Sequence, residues 1–506
     1  MKRILLLLLC ALLLAGCTAD DGGYTPTGDA LTYDEDYTGP VVTRPPQDDK
    51  QSLVLAYYPD QTLNPYRCTD FTNRALFSLI YQGLFAVDRD YRVEPMLCKQ
   101  YSVSADMCTY TFYLENATFS DGSVLTAADV AASLTAAKES PIYSGRLHYV
   151  ESVEASGGAV VVQLKTACEN LPLLLDIPIL KASQLELDTP LGTGPYQFSY
   201  TSLQRRTDWW CNPQMEITAP SIALLQAESV THIRDQFEFA DLSLVCADPG
   251  SDHYADYRCD YELWDCENGI FLYMTFCKES AVFSDPEVRA AMTHAIDRDL
   301  LVSDYYRDFA RSTTLPASPL SPYYSHTLAA KYGYDPEKFE KVIRDKALTD
   351  SPVILLVNKD DSLRVRVART IGDMLTECGL TVQLEALSAD ECLEKLRYRT
   401  FDLYLGQTRL SPNMDLSAFF SESGALSWGG VNDVAAYALC LQALENHGNY
   451  YTLHQNVMEN GLLCPILIRS NAIYATRGLV TGLTPARENV FYYSLGKTME
   501  QALRLQ

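Results

Sequence analysis

Catalytic and metal-binding signatures are missing from this 506-residue sequence. It holds no His-Glu-x-x-His, the pattern that sets two imidazoles and a general base on one helix face, and no Gly-x-Ser-x-Gly nucleophile turn. Gly496-Lys-Thr498 has the tail of a phosphate loop, but Phe491 stands where its first glycine belongs. The seven histidines are scattered, and no Cys-x-x-Cys occurs among fifteen cysteines, so zinc-ribbon and thioredoxin-like chemistry have no support. Neither a catalytic activity nor a metal or other cofactor is expected. Basic residues are also scarce: 40 Lys and Arg face 65 Asp and Glu, a formal charge of −25. Such a field opposes binding to nucleic acid or anionic lipid through a broad basic face. Past residue 14 no apolar run is long enough to span a bilayer.

What is present begins with a leader. Lys2-Arg3 is a positive n-region and Ile4 to Leu14 an apolar h-region too short for a permanent helix. Leu14-Ala15-Gly16-Cys17 closes it and looks like a bacterial lipobox, which would make 1–16 a lipoprotein signal peptide and Cys17 the lipidated new N-terminus. Residues 17–50, rich in Asp, Gly, Thr and Pro, read as a flexible acidic tether. Thirteen later cysteines leave at least one free thiol. Cys98 with Cys108, and Cys259 with Cys266, are close enough to cross-link, but spacing proves no bridge, and mostly free thiols are expected.

The rest alternates strand and helix patterns. Ser52 to Tyr58 is a strand; a helix is expected over Thr72 to Tyr81; Tyr110 to Leu114 alternates as a strand. Thr126 with Asp129 caps a helix through Lys138, and Gly157-Gly158 joins a hairpin of Val150–Ala155 and Ala159–Leu164. Ile270 to Phe276 is a near-unbroken apolar run, as in a strand buried on both faces. Ser284 and Glu287 read as a capping box around Pro286, with Val288, Ala291, Met292, Ala295 and Ile296 on one helical face. Val353–Val357, a helix through Leu375 ending at Gly379, and Thr381–Leu387 form a βαβ unit, which implies parallel pairing. A further helix over Asp390–Tyr398 and a strand at Phe401–Leu405 follow.

At Phe119-Ser-Asp-Gly-Ser-Val-Leu-Thr-Ala-Ala-Asp-Val130 the chain resembles family 5 of the extracellular solute-binding proteins of ABC importers, typified by oligopeptide-, dipeptide- and nickel-binding proteins. Further matches follow in the family's order: Leu63-Asn-Pro65, Ile80 to Leu84, Leu191-Gly-Thr-Gly-Pro-Tyr196, Asp285 to Arg298, Ala368 to Gly379 and Phe401-Asp-Leu403. The resemblance implies an α/β, two-lobed periplasmic-binding-protein-like fold of type II, with the ligand cleft between lobes. Lobe I would comprise 51–70, 190–270 and 471–506; an inserted subdomain 71–189; and lobe II 271–470. It further implies a lipid-anchored, extracytoplasmic monomer at the cell membrane that captures a peptide or other small solute and hands it to a permease driven by an ATPase. A lipid-anchored sensor or surface interaction protein reusing the fold is the alternative. Ligand-facing candidates on this basis are Tyr58, Asp60, Tyr273, Thr275, Cys277, Arg409, Trp428 and Asn432.

Two departures from the family pattern bear on the ligand. Cys277 stands where many members have Asn after the crossing strand. Peptide binders place an Asp after the Phe-Asp strand to pair with an α-ammonium, whereas here Leu410 and Ser411 are the nearest matching positions and Asp415 matches a later one. An ammonium buried without a carboxylate costs several kcal/mol, so unmodified peptides are disfavoured and Arg409 is expected to favour an anionic or polar group.

Overall fold

Two hydrophobic cores share one sheet. The computed structural model describes residues 53–211, 219–251, 254, 257–480, 482–487, 489–497 and 503–505. The signal peptide, Cys17 and the tether lie outside the described residues. The sheet has eleven strands, and its central pair is Tyr261–Phe276 against Cys464–Thr476, antiparallel over most of their length. On one side follow Leu403–Arg409, Pro352–Asn358 and Thr381–Leu387; on the other come Leu244–Ala247, Val54–Tyr57, Ser221–Gln226, Ser202–Arg205 and Tyr196–Ser199. Ala310–Ser312 adds to the edge of Cys464–Thr476.

The central pair passes from one core into the other. Cys266, Ile473 and Ala475 belong to a cluster built mainly from residues 53–244 and 473–491. Leu272, Met274, Phe276, Cys464 and Ile466 belong to a second, built from residues 272–467. Every residue of Cys464–Thr476 is buried, which explains its unbroken apolar character at most positions. Between the cores the pairing slips: the register shifts between Glu267 and Phe271, and Gly269 there has φ +73°. A bulge of this kind bends the strand and raises its twist locally. The two strands are thus continuous and yet kinked where the cores meet.

Local signals behave as their chemistry dictates. The Thr126–Asp129 capping box is formed, and Ala127–Glu139 is the helix it starts. Gly157 and Gly158, at φ +56° and +84°, close the hairpin of Val150–Ser156 and Ala159–Leu164. With Cys98–Val103, Thr109–Leu114 and Leu503–Leu505 these strands make a separate five-stranded sheet. Pro352–Asn358 and Thr381–Leu387 pair in parallel around the helix Ser362–Glu377.

Three expectations need correction. The helix expected over 72–81 is two short ones, Phe71–Arg74 and Phe77–Ile80, because Ala75 and Leu76 close the first turn and pack inward. The cap of the helix after the crossing strand is Asp285, whose carboxylate accepts from Glu287 N–H at 2.8 Å, so Ser284 is not the capping residue. That helix runs only Pro286–Ala291 before tightening into a 3₁₀ turn at Met292–Ala295. The tightening is tied to Arg298, a buried guanidinium that donates to the carbonyls of Thr293, Ile296 and Pro465. The cysteines from Cys68 to Cys464 form no disulfide, in line with the expectation of mostly free thiols, and neither close pair is bridged.

The Leu191–Tyr196 motif has a steric reason. A Cβ on Gly194 would lie 2.5 Å from the carbonyl carbon of Ile80, and Gly194 N–H donates to that carbonyl at 2.9 Å. Gly194→Ala is expected to lower stability by about 1–3 kcal/mol in chemical denaturation, as overpacking against backbone does; an unchanged midpoint would contradict this. A second expectation concerns His454, fully buried with neither ring nitrogen hydrogen-bonded. Burial pushes its pKa down from 6.5 to about 3. The unfolded chain takes up this proton near its ordinary pKa and the folded chain does not, so the contribution is present above that value and lost as pH falls toward the folded one. Denaturation across this acid range should show a slope that His454→Leu flattens.

Candidate ligand cleft

A cleft opens on the side of the first core, beside the kink: Arg487 in its wall has Nη2 4.0 Å from the place a Cβ on Gly269 would occupy. Its internal volume is about 110 Å³, smaller than a site that encloses a drug-sized molecule. Its walls come from chain segments far apart in sequence: the two short helices at 71–80, the turn carrying Tyr143 and Arg146, the stretch around Asp176, and the C-terminal residues Arg487 to Tyr493. Phe77, Phe85 and Met96 give it apolar surface, and Ser78 and Asn489 add polar atoms.

Each charged side chain is placed by an identifiable local structure. Asp70 caps Phe71–Arg74 by accepting from Asn73 N–H at 3.0 Å, and Asn73 in turn accepts from Tyr58 N–H at 2.7 Å, fixing the helix that bears Arg74. Arg146 lies with its guanidinium 5.3 Å from the centre of the Tyr143 ring and donates to Asp176. Arg487, nearly buried, packs against the Tyr91 ring at 5.4 Å and stands 3.9 Å from the same Asp176. Arg409 ends its strand opposite Ile270, beside the kink, and donates to the Asn268 carbonyl at 2.7 Å. It is not among the residues that line the cleft; surrounding protein, Arg74, Arg487 and Arg146 together hold its guanidinium below the ordinary range, and it stays charged at neutral pH. Burial pushes the Tyr143 hydroxyl up, while Arg74, Arg146 and Arg409 act in the opposite sense.

Side-chain contacts tie residues 91–169 to residues 267–447. His148 Nε2 lies 3.4 Å from Asp415, and Glu169 accepts from His447 at 2.7 Å. Glu267 accepts from Tyr91 and from Ser318, the latter at 2.8 Å. Asp415 also accepts from Ser417 N–H and hydroxyl at 2.9 and 2.8 Å, so its carboxylate is occupied within the protein.

The residues singled out from sequence fall in three places. Arg409 is beside the cleft. Tyr58 is half-buried behind the Arg74 helix, pushed up to about 12 by burial and by Asp70 and Asp60, and Asp60 lies on the exposed turn after it. Tyr273 is buried, edge-on to Phe419 at 5.0 Å, and the Thr275 hydroxyl is buried without a hydrogen-bond partner. Cys277 and Trp428 pack in one cluster with Leu356 and Phe401, and Asn432 is exposed nearby. Phe276 pairs with Leu403 and Ile270 with Arg409, which sets Cys277 roughly 20 Å along the strand from the Arg409 end. The structure therefore does not gather Thr275, Cys277, Trp428 and Asn432 with the arginines. Arg74, Arg146, Asp176 and Arg487 escaped the sequence reading, since each sits in a different segment and no spacing links them.

Comparison with known proteins agrees with this architecture. Residues 92–427 match the model of the bacterial extracellular solute-binding proteins, family 5 Middle. A Brucella ovis protein, provisionally named an ABC transporter peptide-binding protein, is 26% identical over 327 residues, 56% of this chain and 59% of its own length. The chain thus matches well under two thirds of that relative. The glutathione-binding protein GsiB of Salmonella paratyphi A is 22% identical over 389 residues, 72% of this chain and 74% of that one. The crystal structure of the ABC transporter substrate-binding protein CtaP from Listeria monocytogenes superimposes with a TM-score of 0.71 at 18% identity, covering 88% of this chain and 98% of that one. The fold is the two-lobed α/β type II binding-protein fold. The chain belongs to family 5 of the bacterial extracellular solute-binding proteins.

Asp176 is shared by two guanidinium groups. Asp176→Asn is expected to cost about 1–3 kcal/mol, read as a lower denaturation midpoint that added salt partly restores by screening the arginines; no change at low salt would contradict the shared pairing.

Proposed function

We propose that the chain is the substrate-binding component of an ABC importer, anchored by a lipid on Cys17 at the outer face of the cell membrane. The observation that carries this reading is the pair of continuous strands that kink as they pass between two cores, with a polar cleft beside the kink. Two rigid bodies on such strands can rock about the kink, and a solute bound between them favours the closed form to the extent that it binds that form more tightly. Lobe I is taken as 51–70, 190–270 and 471–506, the inserted subdomain as 71–189 and lobe II as 271–470. The loaded, monomeric protein would dock on a permease whose ATPase partner drives uptake. No cofactor enters this scheme, and the family is one of binding proteins rather than enzymes.

The ligand is not a plain peptide held by its α-ammonium in this reading. Leu410 is buried and Asp415 is engaged by His148 and Ser417, so neither position offers a free carboxylate to an ammonium. Of the residues expected from sequence, Arg409 is retained as a ligand contact.

Two measurements test the proposal. Native mass spectrometry of the protein purified from its own cells should reveal a co-purifying small molecule at one copy per chain; turnover of that molecule by the protein would contradict a binding role. Cys17→Ala should move the protein from the membrane fraction to the medium, and retention at the membrane would overturn the lipid anchor.

A further inference from the structure

The two bodies also meet along a seam outside the strands that join them. Leu147, Val150, Cys168 and Leu171 belong to the first core. Tyr273, Leu416 and Tyr450 belong to a cluster on the other side, and Asp415 and His447 stand next to Leu416 and close to Tyr450 in the chain. Apolar contact crosses the seam in both directions: Leu444 packs in the first core, and Val87 and Leu173 pack in the far cluster. The seam reaches the kink, where Glu267 accepts from Tyr91 on one side and from Ser318 on the other.

Two histidines cross this seam, one from each side. His148 meets Asp415, and His447 meets Glu169. The His148 ring is set for a proton on each nitrogen. Its Nδ1 lies 2.7 Å from the Gly145 carbonyl and its Nε2 3.4 Å from the Asp415 carboxylate. Both neighbours only accept, and a neutral imidazole carries a single N–H. Ser417 does not supply the second proton, since its hydroxyl, 3.5 Å from Nε2, donates to Asp415 at 2.8 Å. Only 6% of the Asp415 side chain is exposed, so its charge is weakly screened. At the other pair Glu169 accepts from His447 Nδ1 at 2.7 Å and from His447 N–H at 3.1 Å, while Glu169 N–H donates to the Leu444 carbonyl at 2.9 Å.

The other titratable groups along the seam leave these pairs to each other. Burial, with Asp415, pushes Tyr149 and Cys440 up, and burial does the same to Tyr323 beside His447, so all three stay neutral. Arg146, Arg92 and Lys497 lie near one pair or the other, and each has a carboxylate of its own in Asp176, Asp90 and Glu115. Lys165 donates to the His148 carbonyl at 3.3 Å, on the backbone side of the ring.

We propose that the two histidine–carboxylate pairs latch the closed form, and that protonation of the histidines tightens the latch. This rests on the reading of the chain as two lobes that rock about the kink. Opening parts the seam, so the pairs are made in the closed form alone and favour it by their own free energy. Imidazoles take up their proton between about pH 8 and about pH 5. Closed protein then binds protons more tightly than open protein, so closure gains as pH falls through that range and loses as it rises. A half-exposed ion pair shifts such an equilibrium by about two- to fivefold, and two together by about tenfold.

Small-angle X-ray scattering of the ligand-stripped protein tests this with the proton itself as the probe, at about pH 8 and about pH 5.5 and one low ionic strength. The radius of gyration should be smaller at the lower pH. His148→Gln and His447→Gln should each keep part of that contraction, and the double variant none. Glu169→Gln should match His447→Gln. These three side chains are partly exposed, so the variants should fold. A contraction undiminished in the double variant would overturn the latch. A radius indifferent to pH that still contracts with the solute co-purified from the cells would overturn the latch and leave solute capture standing. A radius indifferent to both would overturn this inference together with the reading of two closing lobes.

Discussion

The antiparallel pairing of Tyr261–Phe276 with Cys464–Thr476 is the constraint on which the remainder hangs. Each strand feeds one core at one end and the other core at its opposite end. Hydrogen bonding along a continuous ladder keeps the cores in register, while the slip at Glu267–Phe271 and the positive φ of Gly269 let the ladder bend. Beside the bend lie Arg409, by pairing register, and Arg487, by the return of the tail, and the described cleft adjoins it through Arg487.

The electrostatic arrangement makes sense only in relation to that hinge. Clustered guanidinium groups far from the cores would be screened and nearly silent. Gathered from four segments around a partly desolvated cleft, they become sensitive to whatever enters it, because interactions strengthen as water leaves. Asp176 and Glu267 hold part of the field in check within the protein, Asp176 between two arginines and Glu267 with two hydroxyl donors.

Much of the fold was legible in the sequence because its signals are local. The capping box at Thr126, the glycine hairpin at 157–158, the βαβ unit of 352–387 and the apolar run from Ile270 each follow from spacing over a few residues. Boundaries were less legible: the 72–81 stretch broke in two, and Asp285 rather than Ser284 caps its helix, because inward packing and a neighbouring carboxylate compete with pattern. Of the candidates that family resemblance suggested, Arg409 lies beside the kink, next to Arg487. Arg74, Arg146, Asp176 and Arg487 are brought together by tertiary folding across more than 400 positions of chain, and nothing in their neighbours marks them. Aromatic content is a weak guide here: of 33 tyrosines, Tyr273 packs in the core against Phe419, whereas Tyr143 stands beside Arg146 in the cleft.

The central claim is that a solute captured by the protein draws the two lobes together. Small-angle X-ray scattering of the purified, ligand-stripped protein tests it most directly, with and without the solute that co-purifies from its own cells. The account predicts a smaller radius of gyration once that solute is added back. An unchanged radius with the solute bound would contradict it.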